Sequence, residues 1–202
     1  MLTSYNEGDV HKIIRALFLL VLVPSLCSAS ILRITVNAPI HPISSEYIIR
    51  AIRSAEATNT HLIIMAINTP GGLDASMREI IEAIVNSKVP VAAYVSPSGA
   101  RSASAGFFIG IACDIYAMAP GTNTGAAHPV GISITGQAMD KTMEEKVTHD
   151  AASYIKTLAE KRGRNVQMAE DAVRKSLSYT EQEALKGGLI DLVAKSDKDI
   201  ID

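Results

Sequence analysis

Two spacings of apolar residues alternate along this chain from Ile31 onward. Short apolar runs at Ile31 to Val36, His61 to Ile67, Val89 to Val95, Ile115 to Ala119 and Leu189 to Ala194 have the length and content of strands. Between them, apolar residues return every three or four positions. Ile48, Ala51, Ile52 and Ala55 form one such stripe, Met77, Ile80, Ile81, Ile84 and Val85 a second, and Met143, Val147, Ala151, Tyr154, Ile155 and Leu158 a third. One face of a helix collects residues at that spacing. Ala103 to Ala112 reads as an apolar helix rich in small residues, and a shorter helix is expected around Met168 to Lys175. Asp74 is placed to cap the second stripe. Thr180-Glu181-Gln182-Glu183 has the capping-box pattern, opening a helix that Gly187 and Gly188 close. Strands alternating with helices predict an α/β domain with a largely parallel sheet, in which sites form beyond the carboxyl ends of strands.

The first residues depart from this pattern. His11, Lys12 and Arg15 precede an unbroken apolar run from Ala16 to Val23, which Pro24 and Ser25 break before Cys27-Ser28-Ala29. A basic start, a short apolar core and small residues at its end are the layout of a secretory signal peptide. Residues 1–29 are therefore expected to be a signal peptide or N-terminal hydrophobic segment, and residues 30–202 the working domain. Export to a periplasmic or extracytoplasmic location follows from that expectation. The run is far short of the roughly 18 apolar residues a spanning helix needs, which makes a permanent anchor the weaker alternative. Lipidation at Cys27 is disfavoured by the bulky Leu26.

Composition narrows the function. Of 202 residues, 48% are hydrophobic and 20% charged, enough to bury a core, and the net charge of −2 excludes binding that lives on phosphate neutralisation. Two cysteines, Cys27 and Cys113, exclude a disulfide-dense scaffold and a multi-cysteine zinc site. Aromatic residues are 4% of the chain with no tryptophan, so stacking platforms for bases or sugars are not expected.

Three strand-end loops carry unusual residues. Asn68-Thr69-Pro70-Gly71-Gly72 ends in two glycines, which permit positive φ and close approach of backbone amides to a ligand, or simply a tight turn. In Ser102-Ala103-Ser104-Ala105-Gly106, Ser104 falls near the start of the apolar helix, where amides and the helix dipole favour a developing oxyanion. Close packing of that helix on the sheet would select the same small residues. In Gly125-Ala126-Ala127-His128-Pro129, His128 is either a general base or a turn residue before proline.

Taken together, these segments resemble the soluble protease domain of the NfeD family, membrane-associated serine proteases related in fold to ClpP and signal peptide peptidase. The resemblance continues through Ala117-Met118-Ala119-Pro120-Gly121-Thr122, Lys146, Tyr154-Ile155-Lys156, Thr180 to Leu185, and Gly188-Leu189-Ile190-Asp191. It spans residue 31 to the C-terminus. It implies a ClpP/crotonase-like fold and a Ser-Lys dyad, with Ser104 as nucleophile and Lys146 as general base. The oxyanion hole would come from the backbone amides of Gly71 or Gly72 together with Ala105, the sequence not deciding between the glycines. The family implies no metal and no cofactor. It also implies hydrophobic peptide substrates, a stomatin-like membrane protein as partner, and a homodimer or larger assembly.

The chemistry is coherent with this assignment. A serine hydroxyl needs a neighbouring base, and a lysine serves only as the neutral amine, which burial or another cation favours. Lys146 sits beside the stripe containing Met143 and Val147, where core packing is expected to desolvate it; Lys141 and Lys156 are its rivals. The alternative is a ClpP-type triad using His128, with Asp171 as orienting acid though no motif marks it. From other classes come a non-catalytic partner-binding module of the same fold and a crotonase-type acyl-CoA enzyme. The serine-rich loop fits the last poorly.

Overall fold

A computed structural model describes residues 30–130 and 140–202; the expected leader over 1–29, with Cys27, lies outside them. Five strands form one wholly parallel sheet in the order β1-β2-β3-β5-β8: β1 (Ile31–Val36), β2 (Leu62–Ile67), β3 (Val91–Val95), β5 (Ile115–Met118) and β8 (Leu192–Val193). Their near-continuous apolar sequences reflect burial on both faces. Ile63, Met65 and Ile67 of β2 point into the main core, and Ile64 points the other way, into a smaller cluster with Tyr94, Ala117, Ala194 and Ile200.

The main core is completed by helices. Helix α1 (Pro42–Ala57) starts with proline at its first position, and His41 and Ser44 form a reciprocal cap. Helix α2 (Asp74–Val85) buries Met77, Ile80, Ile81 and Ile84. Its cap position is Leu73 rather than Asp74. Asp74 enters the first turn, where the positive end of the helix favours a carboxylate. Helix α3 (Ala105–Ala112) is buried all round, and its glycines are demanded by contact: a Cβ on Gly110 would lie 2.3 Å from the Tyr116 ring. Helices α4 (Lys141–Lys161), α5 (Val166–Arg174), α6 (Glu181–Lys186) and α7 (Lys198–Ile201) follow.

A second sheet of three short strands, β4 (Arg101–Ala103), β6 (Asn123–Gly125) and β7 (Ser178–Thr180), frames the ends of the large sheet. Ala103 thus belongs to a strand, not to the helix expected from Ala103 onward. The strand expected over Leu189 to Ala194 shrinks to two residues. Asp191 is turned aside to accept from the Tyr116 amide at 2.6 Å and from Arg164.

Candidate active site

The turn after β2 is tied to β4, the strand that leads into α3, by two hydrogen bonds: the Thr69 amide donates to the Arg101 carbonyl at 2.8 Å, and the Ala103 amide to the Thr69 carbonyl at 3.2 Å. A Cβ on Gly106 would sit 2.4 Å from Thr69 Cγ2, so only glycine lets α3 approach this closely. Beneath, buried hydroxyls brace the strand before Ser104. Thr124 Oγ1 donates to the Ser102 carbonyl at 2.8 Å, so Tyr116 donates to Thr124 Oγ1 at 2.6 Å. Burial pushes the Tyr116 phenol up to about 12, keeping it a neutral donor.

Ser104 stands directly before α3 with φ 51° and ψ −119°, a region that L residues rarely occupy. The Ser104 amide is held by the Gly125 carbonyl at 3.0 Å, and its carbonyl accepts from Phe107 at 2.9 Å. The backbone is thus pinned on both sides of the strained residue, which is itself partly exposed. A strained residue held in place by its surroundings, at a cavity wall, makes Ser104 a candidate functional position.

Gly71, with φ +115°, lies against it: a Cβ there would be 2.5 Å from Ser104 Cβ and 3.0 Å from its Oγ. The two glycines differ in what their amides do. That of Gly71 donates to Thr69 Oγ1 at 3.2 Å. Those of Gly72 and Ala105 have no acceptor among the described residues. Gly72, Ser104 and Ala105 line one cavity of about 330 Å³, whose other walls include Leu73, Met77, Phe108, Val130 and Val147. Two residues whose amides lack acceptors thus line the same cavity as a serine, which Asp74, Arg78 and Asp150 also border, and such a set can hold an oxyanion beside a hydroxyl.

The other sequence-derived residues are placed less directly. Lys146 is exposed on α4, one position before the cavity-lining Val147, so the desolvation by core packing expected for it is not met. Lys141 and Lys156 are exposed on the same helix, Lys156 near Glu160 at 3.9 Å. His128 is engaged elsewhere: its Nδ1 lies 3.0 Å from the Val173 carbonyl and its Nε2 3.6 Å from Glu144. Asp171 serves neither. Its carboxylate accepts from Lys175 at 3.0 Å and Gln167 at 3.0 Å, and the Lys175 bond above all holds it below the usual carboxylate range.

An ion-pair group at the cavity rim was not legible in the sequence. Arg78 of α2 bonds Asp74 at 2.9 Å and Asp150 of α4 at 2.6 Å, and its guanidinium lies 4.4 Å above the Tyr154 ring. The Asp74–Arg78 spacing of one helical turn was a signal for half of it.

Fold and site together define an α/β domain of ClpP type. ClpP1 from Listeria monocytogenes has the same fold, with a TM-score of 0.66 at 17% identity over 83% of this chain and 94% of that one. Over residues 30–201 the sequence matches the family described as NfeD1b, N-terminal domain, and the chain belongs to that family. It is 42% identical over 153 residues to membrane-bound protease PH1510 of Pyrococcus horikoshii, a match covering 75% of this chain and 34% of that protein. Two solved structures, both of the 1510-N membrane-bound stomatin-specific protease, superpose with a TM-score of 0.81 at 37% identity, over 87% of this chain. One is a serine-to-alanine mutant, 84% of which is covered. The other is a lysine-to-alanine mutant in complex with a substrate peptide, with 80% covered. The chain spans about a third of the length of the curated relatives it matches. Among the described residues no helix is long and apolar enough to cross a membrane.

Proposed function

We propose that this chain is a serine endopeptidase domain acting on hydrophobic peptide segments through a Ser104–Lys146 dyad. The observation that carries the reading is Ser104 itself, strained, pinned and packed on Gly71, at a cavity where the Gly72 and Ala105 amides lack acceptors. The substituted serine and lysine of the 1510-N structures support the pair, since their separation in sequence is within one residue of that between Ser104 and Lys146.

In this reading Ser104 Oγ attacks the peptide carbonyl while Lys146 Nζ, as the free amine, takes the hydroxyl proton. The carbonyl oxygen becomes an oxyanion held by the Gly72 and Ala105 amides. The ammonium then protonates the departing amine, leaving an acyl-Ser104; Lys146 next takes a proton from water as it attacks the ester carbonyl, and returns it to Ser104 Oγ as the acid product leaves. Because Lys146 is exposed, a peptide lying in the cavity between α2 and α4 is what excludes water from its amine. Apolar walls select hydrophobic segments, and the stomatin specificity of the 1510-N protease makes a stomatin-like membrane protein the natural substrate and partner. Export to the extracytoplasmic side, membrane association and a homodimer belong to the same reading.

Cleavage of a fluorogenic hydrophobic peptide by wild type, Ser104→Ala, Lys146→Arg and His128→Ala tests it. The first two variants are expected to be inactive, since arginine keeps length and charge but not a free amine, and His128→Ala to keep most activity. An active Lys146→Arg beside an inactive, folded His128→Ala would replace the dyad with the triad.

A further inference from the structure

Tyr116 of β5 packs against α3, the helix that Ser104 precedes, and is held at both its backbone and its phenol. Its amide donates to Asp191 Oδ2 at 2.6 Å. The same oxygen accepts from Arg164, which also donates to the Ile111 and Cys113 carbonyls at the end of α3. Its phenol donates to Thr124 Oγ1, which in turn donates to the carbonyl of Ser102, two residues before Ser104. Two glycines one turn apart leave room for these groups under the helix. A Cβ on Gly110 would lie 2.3 Å from Tyr116 Cζ, and one on Gly106 would lie 2.9 Å from Ser102 Oγ. Ser102, Tyr116 and Thr124 are all fully buried, and the Ser102 hydroxyl has no partner among the described residues. A buried polar set left partly unsatisfied stabilises a fold less than apolar packing does. What it supplies is direction: Thr124 has one proton, and only one order of donors fits the two bonds it makes.

We infer that Tyr116 and Thr124 are positioning residues for the proposed reaction: their chain of hydroxyls, ending on the Ser102 carbonyl, keeps Ser104 in the strained conformation from which it acts. A backbone conformation as rare as that of Ser104 persists only where its surroundings over-determine it. Strand β6 does so twice, through the Gly125 carbonyl on the Ser104 amide and through the Thr124 hydroxyl on Ser102. With the second hold gone, Ser104 relaxes toward an allowed region and its oxygen shifts relative to the Gly72 and Ala105 amides. The effect on rate rests on Ser104 as the nucleophile; the effect on backbone strain does not.

Tyr116→Phe removes one oxygen and leaves the ring in place, Thr124→Val removes the donor to Ser102, and Thr124→Ser keeps it. Tyr94→Phe is the control. It loses a hydrogen bond of the same kind, to the Ala194 carbonyl at 3.0 Å, in the cluster on the other face of the sheet. On a hydrophobic peptide kcat is expected to fall roughly tenfold in Tyr116→Phe and further in Thr124→Val, with KM little changed, because an interaction that orients the reacting atom is lost. Thr124→Ser and Tyr94→Phe should stay within about twofold of wild type. A second arm needs no turnover: paired urea melts compare Ser104→Gly with Ser104→Ala, alone and combined with Tyr116→Phe. The advantage of glycine should shrink by roughly half once the strain is no longer imposed. Unchanged kcat in Tyr116→Phe, a loss carried by KM, an equal loss in Tyr94→Phe, or an undiminished glycine advantage would overturn the inference. Should Tyr116→Phe fail to fold, Thr124→Val against Thr124→Ser decides both arms in its place. If the wild type cleaves nothing, a shrunken glycine advantage upholds the hold on Ser104 and sinks the peptidase reading.

Discussion

Replacing Gly71 by alanine tests how the turn after β2 supports Ser104, the proposed nucleophile. The substitution acts twice. Gly71 has φ +115°, well beyond even the left-handed helical basin, and an alanine held there costs about 1–3 kcal/mol. Its Cβ also falls 2.5 Å from Ser104 Cβ and 3.3 Å from the Ala103 carbonyl oxygen, an overlap that adds about 1–3 kcal/mol. Together these lower Tm by roughly 4–24 °C for a domain of this size. Relieving the overlap needs a displacement of about 1 Å between Ser104 and the turn that carries Gly72, which costs on the order of 10²-fold in rate. The Gly71 amide already donates to Thr69 Oγ1, so no oxyanion donor is removed and the loss is one of position. Gly99→Ala is the control: Gly99 also has positive φ, +85°, but a Cβ there meets nothing within 4 Å. Thermal unfolding and kcat/KM on a hydrophobic peptide are measured for both. Gly99→Ala should lose some Tm and keep its rate. A folded Gly71→Ala with kcat/KM within threefold of wild type would refute the reasoning.

The strain at Ser104 makes Ser104→Gly more stable than Ser104→Ala by about 1–3 kcal/mol, because glycine accepts φ 51°, ψ −119° and alanine does not; paired urea melts of the two inactive variants check the sign. Arg164, with a side chain 2% exposed, donates to the Ile111 and Cys113 carbonyls at 2.8 and 2.9 Å and to Asp191 at 2.6 Å. Arg164→Met should cost about 3 kcal/mol, read as a lower urea midpoint at unchanged slope. The Glu183 carboxylate accepts from the Thr180 amide and hydroxyl, which holds it below its usual 4.5. Its contribution is complete above about pH 4.5 and fades as pH falls through the lowered value. The Tm gap between wild type and Glu183→Gln should therefore be full at pH 7 and close in acid.

What the sequence disclosed and withheld follows from range of interaction. The stripe from Met77 to Val85 and the run from Ile63 to Ile67 were legible because burial repeats along one element. The three-residue strands β4, β6 and β7 were not, since nothing as short as Arg101–Ala103 shows a period and its pairing depends on Asn123–Gly125. Thr180 as cap was legible from its own neighbours, whereas Asp74 failed as one because Arg78 and the helix start drew it one position inward. In the candidate site, residue types were readable and their state was not. Gly72 rather than Gly71 is the proposed donor because the Gly71 amide is taken by a hydroxyl two residues away, at Thr69. The exposure of Lys146 depends on how α4 lies against α2, which no local spacing specifies.

Covalent labelling tests the central assignment most directly. The full chain is treated with a fluorophosphonate, digested and mapped by mass spectrometry, beside Ser104→Ala and Lys146→Arg. A single adduct on the peptide containing Ser104, absent from Ser104→Ala and slowed in Lys146→Arg, is the result predicted. An adduct that persists in Ser104→Ala, or one mapped to any other residue, would contradict it.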